Sequence, residues 1–142
     1  MNKKSIICIV LAVAWIGVIW GHSLQPAVVS DGESLGLLAI LNSFLPFELT
    51  NHIVRKTAHF TEYMILGLLI LNVHRTLAEV NPRQLRASLV LSFAVAFIDE
   101  TIQLFVEGRS GQISDVWLDF AGACTGVLVL YIIMTINKRR TR

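Results

Sequence analysis

At 142 residues, with 54% hydrophobic and only 15% charged side chains, the chain has a mean hydropathy of +0.64. A soluble domain carries about 25% charged residues. These values therefore exclude an ordinary water-soluble domain and point to an integral membrane protein with room for one compact unit, 1–142. The formal net charge of +2 is carried by basic residues gathered in particular loops, so the lipid bilayer is the first expected partner and nucleic acid is not one.

A short basic start, residues 1–4, leads into an apolar run that forms the first predicted span, about 5–22. At ~1.5 Å per residue this run just crosses a ~30 Å hydrocarbon core. A cleaved signal peptide competes, because Lys3 and Lys4 precede the run and Gly21-His22-Ser23 ends it. The run's length, its two tryptophans and the apolar segments that follow favour a retained span. Ser23-Leu24-Gln25-Pro26 closes it, since proline cannot continue the hydrogen-bond ladder.

A mixed stretch, 30–51, follows. Within it 34–44 has a helical apolar face that Pro46 ends. It is too short to span and reads as a short helix lying on the membrane surface, with a plain leucine-bearing loop as the competing reading. A second span is predicted over about 57–73, then a polar turn with His74, Arg75, Glu79, Asn81, Pro82, Arg83 and Arg86. A third span covers about 87–106, a tight glycine-containing loop 107–112, a fourth span about 114–136, and a basic tail ends the chain. Cys8 and Cys124 both fall inside apolar runs, one near an end and one near the middle. They read as small apolar residues and not as a disulfide. The expected fold is thus an all-α integral membrane protein, a four-transmembrane-helix bundle with a short amphipathic segment in the first outer loop.

One side of that bundle holds nine basic residues, Lys3, Lys4, Arg75, Arg83, Arg86, Lys138, Arg139, Arg140 and Arg142; the other holds three, Arg55, Lys56 and Arg109. The positive-inside rule then places both termini in the cytoplasm. With that orientation the strongly polar intramembrane residues gather at the outer end. They are Lys56, His59, Glu62 and Tyr63 in the second span, Asp99, Glu100 and Gln103 in the third, and Asp115 and Asp119 in the fourth. His22 ends the first span, and the inner halves offer little beyond Asn72, Ser88 and Ser92.

Helical spacing groups these residues further. Lys56, His59 and Tyr63 fall at i, i+3 and i+7, and Asp99 and Gln103 at i and i+4. Asp115, Asp119, Gly122 and Gly126 continue one stripe. Its Gly-x-x-x-Gly part lets another helix approach just below the two aspartates. Five carboxylates at this end face two cations, Lys56 and Arg109. A water-poor site does not hold such an excess uncompensated. Protonated carboxyls, a cationic His59, a divalent cation or a cationic ligand would each relieve it.

The segment Lys56-x-x-His59-Phe60-x-Glu62-Tyr63-x-x-Leu66-Gly67 resembles the signature of the VanZ-like family of bacterial membrane proteins. So do Asp99-Glu100-x-x-Gln103-x-Phe105, Gly108-Arg109, and Asp115-Val116-x-x-Asp119-x-x-Gly122, and Ser23-Leu24-Gln25-Pro26 is similar to the family's motif after the first helix. The resemblance implies a protein of the cytoplasmic membrane and cell envelope. Through the family's founding member it implies a link to lowered susceptibility to the glycopeptide teicoplanin. It does not supply a biochemical activity.

Three readings follow. In the first, an outward-facing site acts on or binds a lipid-linked or peptidoglycan-related molecule. His59 is then the candidate general acid or base, oriented by Glu62 or Asp115. Arg109 and Lys56 hold a phosphate or carboxylate, Tyr63 and Gln103 orient, and Asp99, Glu100 and Asp119 offer oxygen ligands to a divalent metal, of types that suit Mg²⁺, Mn²⁺ or Ca²⁺ better than a closed Zn²⁺ site. In the second, the pocket binds a ligand or partner protein without catalysis and alters antibiotic access. The third, proton- or ion-coupled transport, lacks a matching polar path in the inner halves unless an oligomer builds one. Beside these stands plain ion pairing that fixes helix register. Asp115 reads equally as a helix-capping carboxylate, Trp15, Trp20 and Trp117 as core or interface anchors, and His52 and His74 as solvated loop residues.

Overall fold

The computed structural model describes residues 2–140; Met1, Thr141 and Arg142, the last counted in the basic tail, lie outside the described residues. Five helices follow one another: α1 Lys3–Ser23, α2 Ala27–Phe44, α3 Asn51–Leu77, α4 Pro82–Gln103 and α5 Ile113–Arg140. Local chemistry sets most of their ends. Asn2 accepts from Ser5 N at 2.8 Å and starts α1, and Thr50 caps α3 through Ile53 N. Asn81 and Gln84 form a reciprocal capping box at α4, with Pro82 just inside.

Several boundaries differ from the sequence reading. α4 starts at Pro82 and ends at Gln103, where the sequence predicts a span over about 87–106, so Pro82, Arg83 and Arg86 are helical and not part of the turn. The helix of the first loop starts at Ala27, not at residue 34, so it is 18 residues long. Asp31 on its first turns pairs with Arg55 of α3 at 2.9 Å, and Ala27 N donates to Glu107 O at 3.1 Å. Those long-range ties hold a segment whose own residues have no helical apolar period. α3 starts at Asn51, six residues before the predicted span, which puts His52 on a helix. His74 is likewise on α3, half-buried, with Nδ1 2.8 Å from Ser88 Oγ. Neither histidine is a loop residue.

Helices α1, α3, α4 and α5 run alternately up and down. Ser5 Oγ donates to Thr76 O at 3.1 Å and Lys138 meets Glu79 at 2.8 Å. The start of α1, the α3–α4 turn and the end of α5 therefore share one end of the bundle. The end of α1, the start of α3, the end of α4 and the start of α5 form the other. The tightest packing is between α3 and α5. A Cβ on Gly122 would collide with Phe60 O, one on Gly126 with Met64 O, and one on Gly67 with Ala123 O. These glycines let the two backbones touch, as small residues do in membrane helix pairs.

What is buried is unusually polar. The inward face of α1 carries Ser5, Ala12, Ile19 and Ser23, and that of α4 carries Ser88, Ser92, Val95, Ala96, Asp99, Glu100 and Gln103. Ile7, Val10, Val13, Val90, Phe97 and Ile98 are exposed. A protein in water shows the reverse distribution. α1 and α5 are long and apolar enough to cross a membrane. α3 and α4, at 27 and 22 residues, have the length, but their inward polar side chains lower their hydropathy.

Candidate functional site

The polar end is assembled by the 104–112 loop. Gly108 takes a positive φ of 73°, a conformation that glycine adopts without strain, and the chain turns back toward α1. Arg109 then donates to carbonyls at and just beyond the end of α1, through Nη2 to His22 O at 2.9 Å and Nε to Gln25 O at 3.2 Å. Its Nη1 reaches Gln103 Oε1 at 3.5 Å. A cation at a helix C-terminus is favoured by the dipole and the free carbonyls. Partial burial, then the nearby Arg55 guanidinium, pull the Arg109 pKa below its ordinary value, though an arginine stays charged.

Glu100 and Gln103 complete the brace. Gln103 Nε2 donates to Glu100 Oε1 at 3.2 Å and lies 3.4 Å from Ser23 Oγ. Glu100 Oε2 accepts from Gln112 N at 2.8 Å, at the start of α5. Gly111 sits against Glu100 O, where a Cβ would not fit.

Above this brace lies a polar cavity of ≈ 290 Å³ lined by Arg55, Lys56, His59, Arg109, Gln112 and Asp115, among others. Lys56 Nζ pairs with Asp115 Oδ1. A smaller cavity of ≈ 180 Å³ shares Arg55, His59 and Arg109 with it and continues past His22 and Glu62. Those two side chains meet at 2.7 Å, and Trp15 Nε1 donates to Glu62 O at 2.9 Å. Val54, Ala58 and Glu62 also wall an apolar groove of ≈ 570 Å³ beneath α2, lined further by Leu37, Leu41 and Ile65.

Below the cavity, His59, Asp99 and Asp119 come from α3, α4 and α5. One ligand-type atom of each lies within 4.8 Å of the others. Asp99 and Asp119 are 0% exposed. His59 Nδ1 is 3.7 Å from Asp119 Oδ1, too far for a hydrogen bond. Tyr63, fully buried, directs its hydroxyl at Asp99 without completing a bond.

Nine of the ten residues singled out from sequence thus fall into three groups. Lys56, Arg109 and Asp115 line the upper cavity, with His59 at its boundary with the floor. Asp99, Asp119 and Tyr63 lie with His59 in that floor. Glu100 and Gln103 brace the loop to the helix ends. Glu62 stands apart, facing His22. Asp115 lies in the first turn of α5 and at the same time faces Lys56. Two residues were missed. Arg55, four positions before His59 and so on its face, lines both polar cavities. Asp31, its partner, carried no signal, since nothing local ties α2 to α3.

No curated protein and no solved structure matches the chain. A family model described as VanZ/LLP1 matches residues 8–134, from the first helix into the last. The match embraces each helix and the whole polar end, and the chain belongs to the VanZ/LLP1 family.

Proposed function

We propose that this chain is a four-span protein of the bacterial cytoplasmic membrane, with both termini in the cytoplasm. Its outer-end cleft binds the anionic head of a lipid-linked or cell-wall-related molecule. The observation that carries this reading is adjacency. A cavity edged by Arg55, Lys56 and Arg109 adjoins a second that shares Arg55, His59 and Arg109 with it, and that one shares Leu37, Val54, Ala58 and Glu62 with an apolar groove under α2. Guanidinium and ammonium groups suit phosphate or carboxylate oxygens, and the groove suits an acyl or prenyl chain. An amphiphile is the ligand class that fits both.

α2 supports this placement. None of its residues is fully buried, and Val28, Val29, Leu35, Leu37, Ile40 and Phe44 are exposed, as expected of a helix lying in the membrane interface. Binding wall-related material at the outer face also gives the family's link to glycopeptide susceptibility a physical site. His59, on the boundary between cavity and floor, is the group we assign to any proton transfer on the bound head.

The test is lipid binding by the detergent-purified chain, read by native mass spectrometry with a polyprenyl phosphate and the matching uncharged polyprenol. The phosphate should be retained and the alcohol not. Lys56→Met or Arg55→Met should weaken retention about tenfold, the loss of roughly 1.4 kcal/mol expected for one charge-assisted contact. Leu37→Glu should weaken it by blocking the tail. Equal retention of phosphate and alcohol in all variants would overturn the reading.

A further inference from the structure

We infer that His59, Asp99 and Asp119 form a binding site for one divalent cation of the Mn²⁺ or Zn²⁺ class. The first reason is convergence. Three helices each deliver one ligand-type atom, and all lie within 4.8 Å of one another. First-row divalent ions bind nitrogen and carboxylate oxygen at about 2.0–2.2 Å, so opposed ligands stand at most about 4.4 Å apart. At tetrahedral to trigonal angles the three ligand atoms would stand about 3.3–3.8 Å from one another. His59 Nδ1 is already 3.7 Å from Asp119 Oδ1, and side-chain shifts of up to about an ångström close the rest of the triad.

The second reason is what surrounds the two aspartates. Both are 0% exposed, and among the described residues neither carboxylate completes a hydrogen bond of normal geometry, although Ser23 and Tyr63 lie beside Asp99 and His59 beside Asp119. His59 Nδ1 and the Tyr63 hydroxyl are also buried without partners. Unpaired buried carboxylates are costly, and this fold supplies donors elsewhere. Glu100, next to Asp99 in sequence, receives Gln103 Nε2 and Gln112 N. The nearby basic groups are directed away, with Lys56 at Asp115 and Arg109 at the α1 carbonyls. A cation at the centre of the triad satisfies one ligand atom of each of His59, Asp99 and Asp119 together.

The third reason is chemical type. Imidazole with two carboxylates suits Mn²⁺ or Zn²⁺ better than the all-oxygen shells of Mg²⁺ and Ca²⁺. Three protein ligands leave a coordination position open, and His59 is the ligand that lines the upper cavity, the side from which an ion would arrive. The acidic set Asp99, Glu100 and Asp119 expected from sequence is thereby replaced by one in which His59 takes the place of Glu100. The inference rests on these ligands alone and does not require the lipid reading; if both hold, the ion lies under the bound head.

The experiment is Mn²⁺ binding to the EDTA-stripped, detergent-purified full chain, followed by electron paramagnetic resonance of free and bound Mn²⁺, with Zn²⁺, Mg²⁺ and Ca²⁺ as competitors. No lipid is added, so the outcome is separate from the lipid test. One Mn²⁺ per chain is expected, displaced by Zn²⁺ at lower concentration than by Mg²⁺ or Ca²⁺. His59→Gln, half-buried and the mildest change, should raise Kd at least about 100-fold, beyond the 10–100-fold typical of outer-shell changes. Asp99→Asn and Asp119→Asn should do the same, while the exposed Glu48→Gln should not. Lys56→Met should keep Mn²⁺ affinity within a few-fold even where it loses the lipid. No uptake of any of the four ions by the wild type would overturn the site. So would loss of binding in Glu100→Gln with retention in His59→Gln.

Discussion

Asp99 and Glu100 are neighbours in sequence with opposite surroundings. A helix turns about 100° per residue, which aims Glu100 at the α5 start, where two donors meet it, and Asp99 at His59 and Asp119. The sequence showed both as intramembrane acids and could not separate them, because the difference lies in which helix each one faces. His74 is a second case in which the fold decides. Ser88 Oγ donates to Gln84 O at 2.9 Å, which leaves His74 Nδ1 as the donor to Ser88. Partial burial lowers the His74 pKa below the ordinary 6.5. The unfolded chain therefore takes up its proton first, and the contribution is a loss of stability as pH falls through about 6.5 and toward the lower folded value. Thermal unfolding of wild type and His74→Asn from pH 8 to pH 5 checks this: the wild type should lose more of its midpoint temperature on acidification. Parallel curves would show that His74 does not titrate differently in the two states.

At the scale of the element, the α3–α5 crossing fixes the site. Gly122 is one turn below Asp119 on α5 and packs on Phe60 O, next to His59 on α3. The backbone contact therefore sets the separation of His59 and Asp119. The Gly-x-x-x-Gly spacing was legible in the sequence, but its partner was not, since any helix can fill such a groove. Gly122→Ala should force the two backbones apart, costing about 1–3 kcal/mol by overpacking, and should weaken Mn²⁺ binding as well. Gly17→Ala, with open space around it, should change neither. Thermal unfolding and Mn²⁺ titration of both variants read the two effects. A Gly122→Ala protein as stable as wild type would mean that the crossing yields and does not position the triad. α2 shows the converse limit. Its apolar face over 34–44 was readable, yet its first two turns are held by Asp31–Arg55 and Ala27–Glu107, contacts that span the chain.

For the whole molecule, the polar interior and apolar exterior argue that α3 and α4 sit in the same solvent as α1 and α5. By hydropathy alone only α1 and α5 qualify as spans among the described residues. Yet α4 buries Ser88, Ser92, Asp99, Glu100 and Gln103 and exposes Val90, Leu91, Phe97 and Ile98, an arrangement favoured only where hydrocarbon surrounds the bundle. Orientation then follows from charge. The end formed by the α1 start, the α3–α4 turn and the α5 end carries Lys3, Lys4, Arg75, Arg83, Arg86, Lys138, Arg139 and Arg140, against Arg55, Lys56 and Arg109 at the cleft end. The cleft end should therefore face outward. Single cysteines at Ser110, beside the cleft, and at Arg83, in the first turn of α4 at the opposite end, test this in a Cys8→Ala, Cys124→Ala background. A membrane-impermeant maleimide applied to intact cells should label the Ser110→Cys chain and label Arg83→Cys only after lysis. The reverse pattern would put the cleft in the cytoplasm and remove the outer-leaflet ligand. Labelling at both positions in intact cells would put both ends of α4, the one helix between them, on the same side of the membrane, so that α4 does not cross it and the four-span arrangement fails.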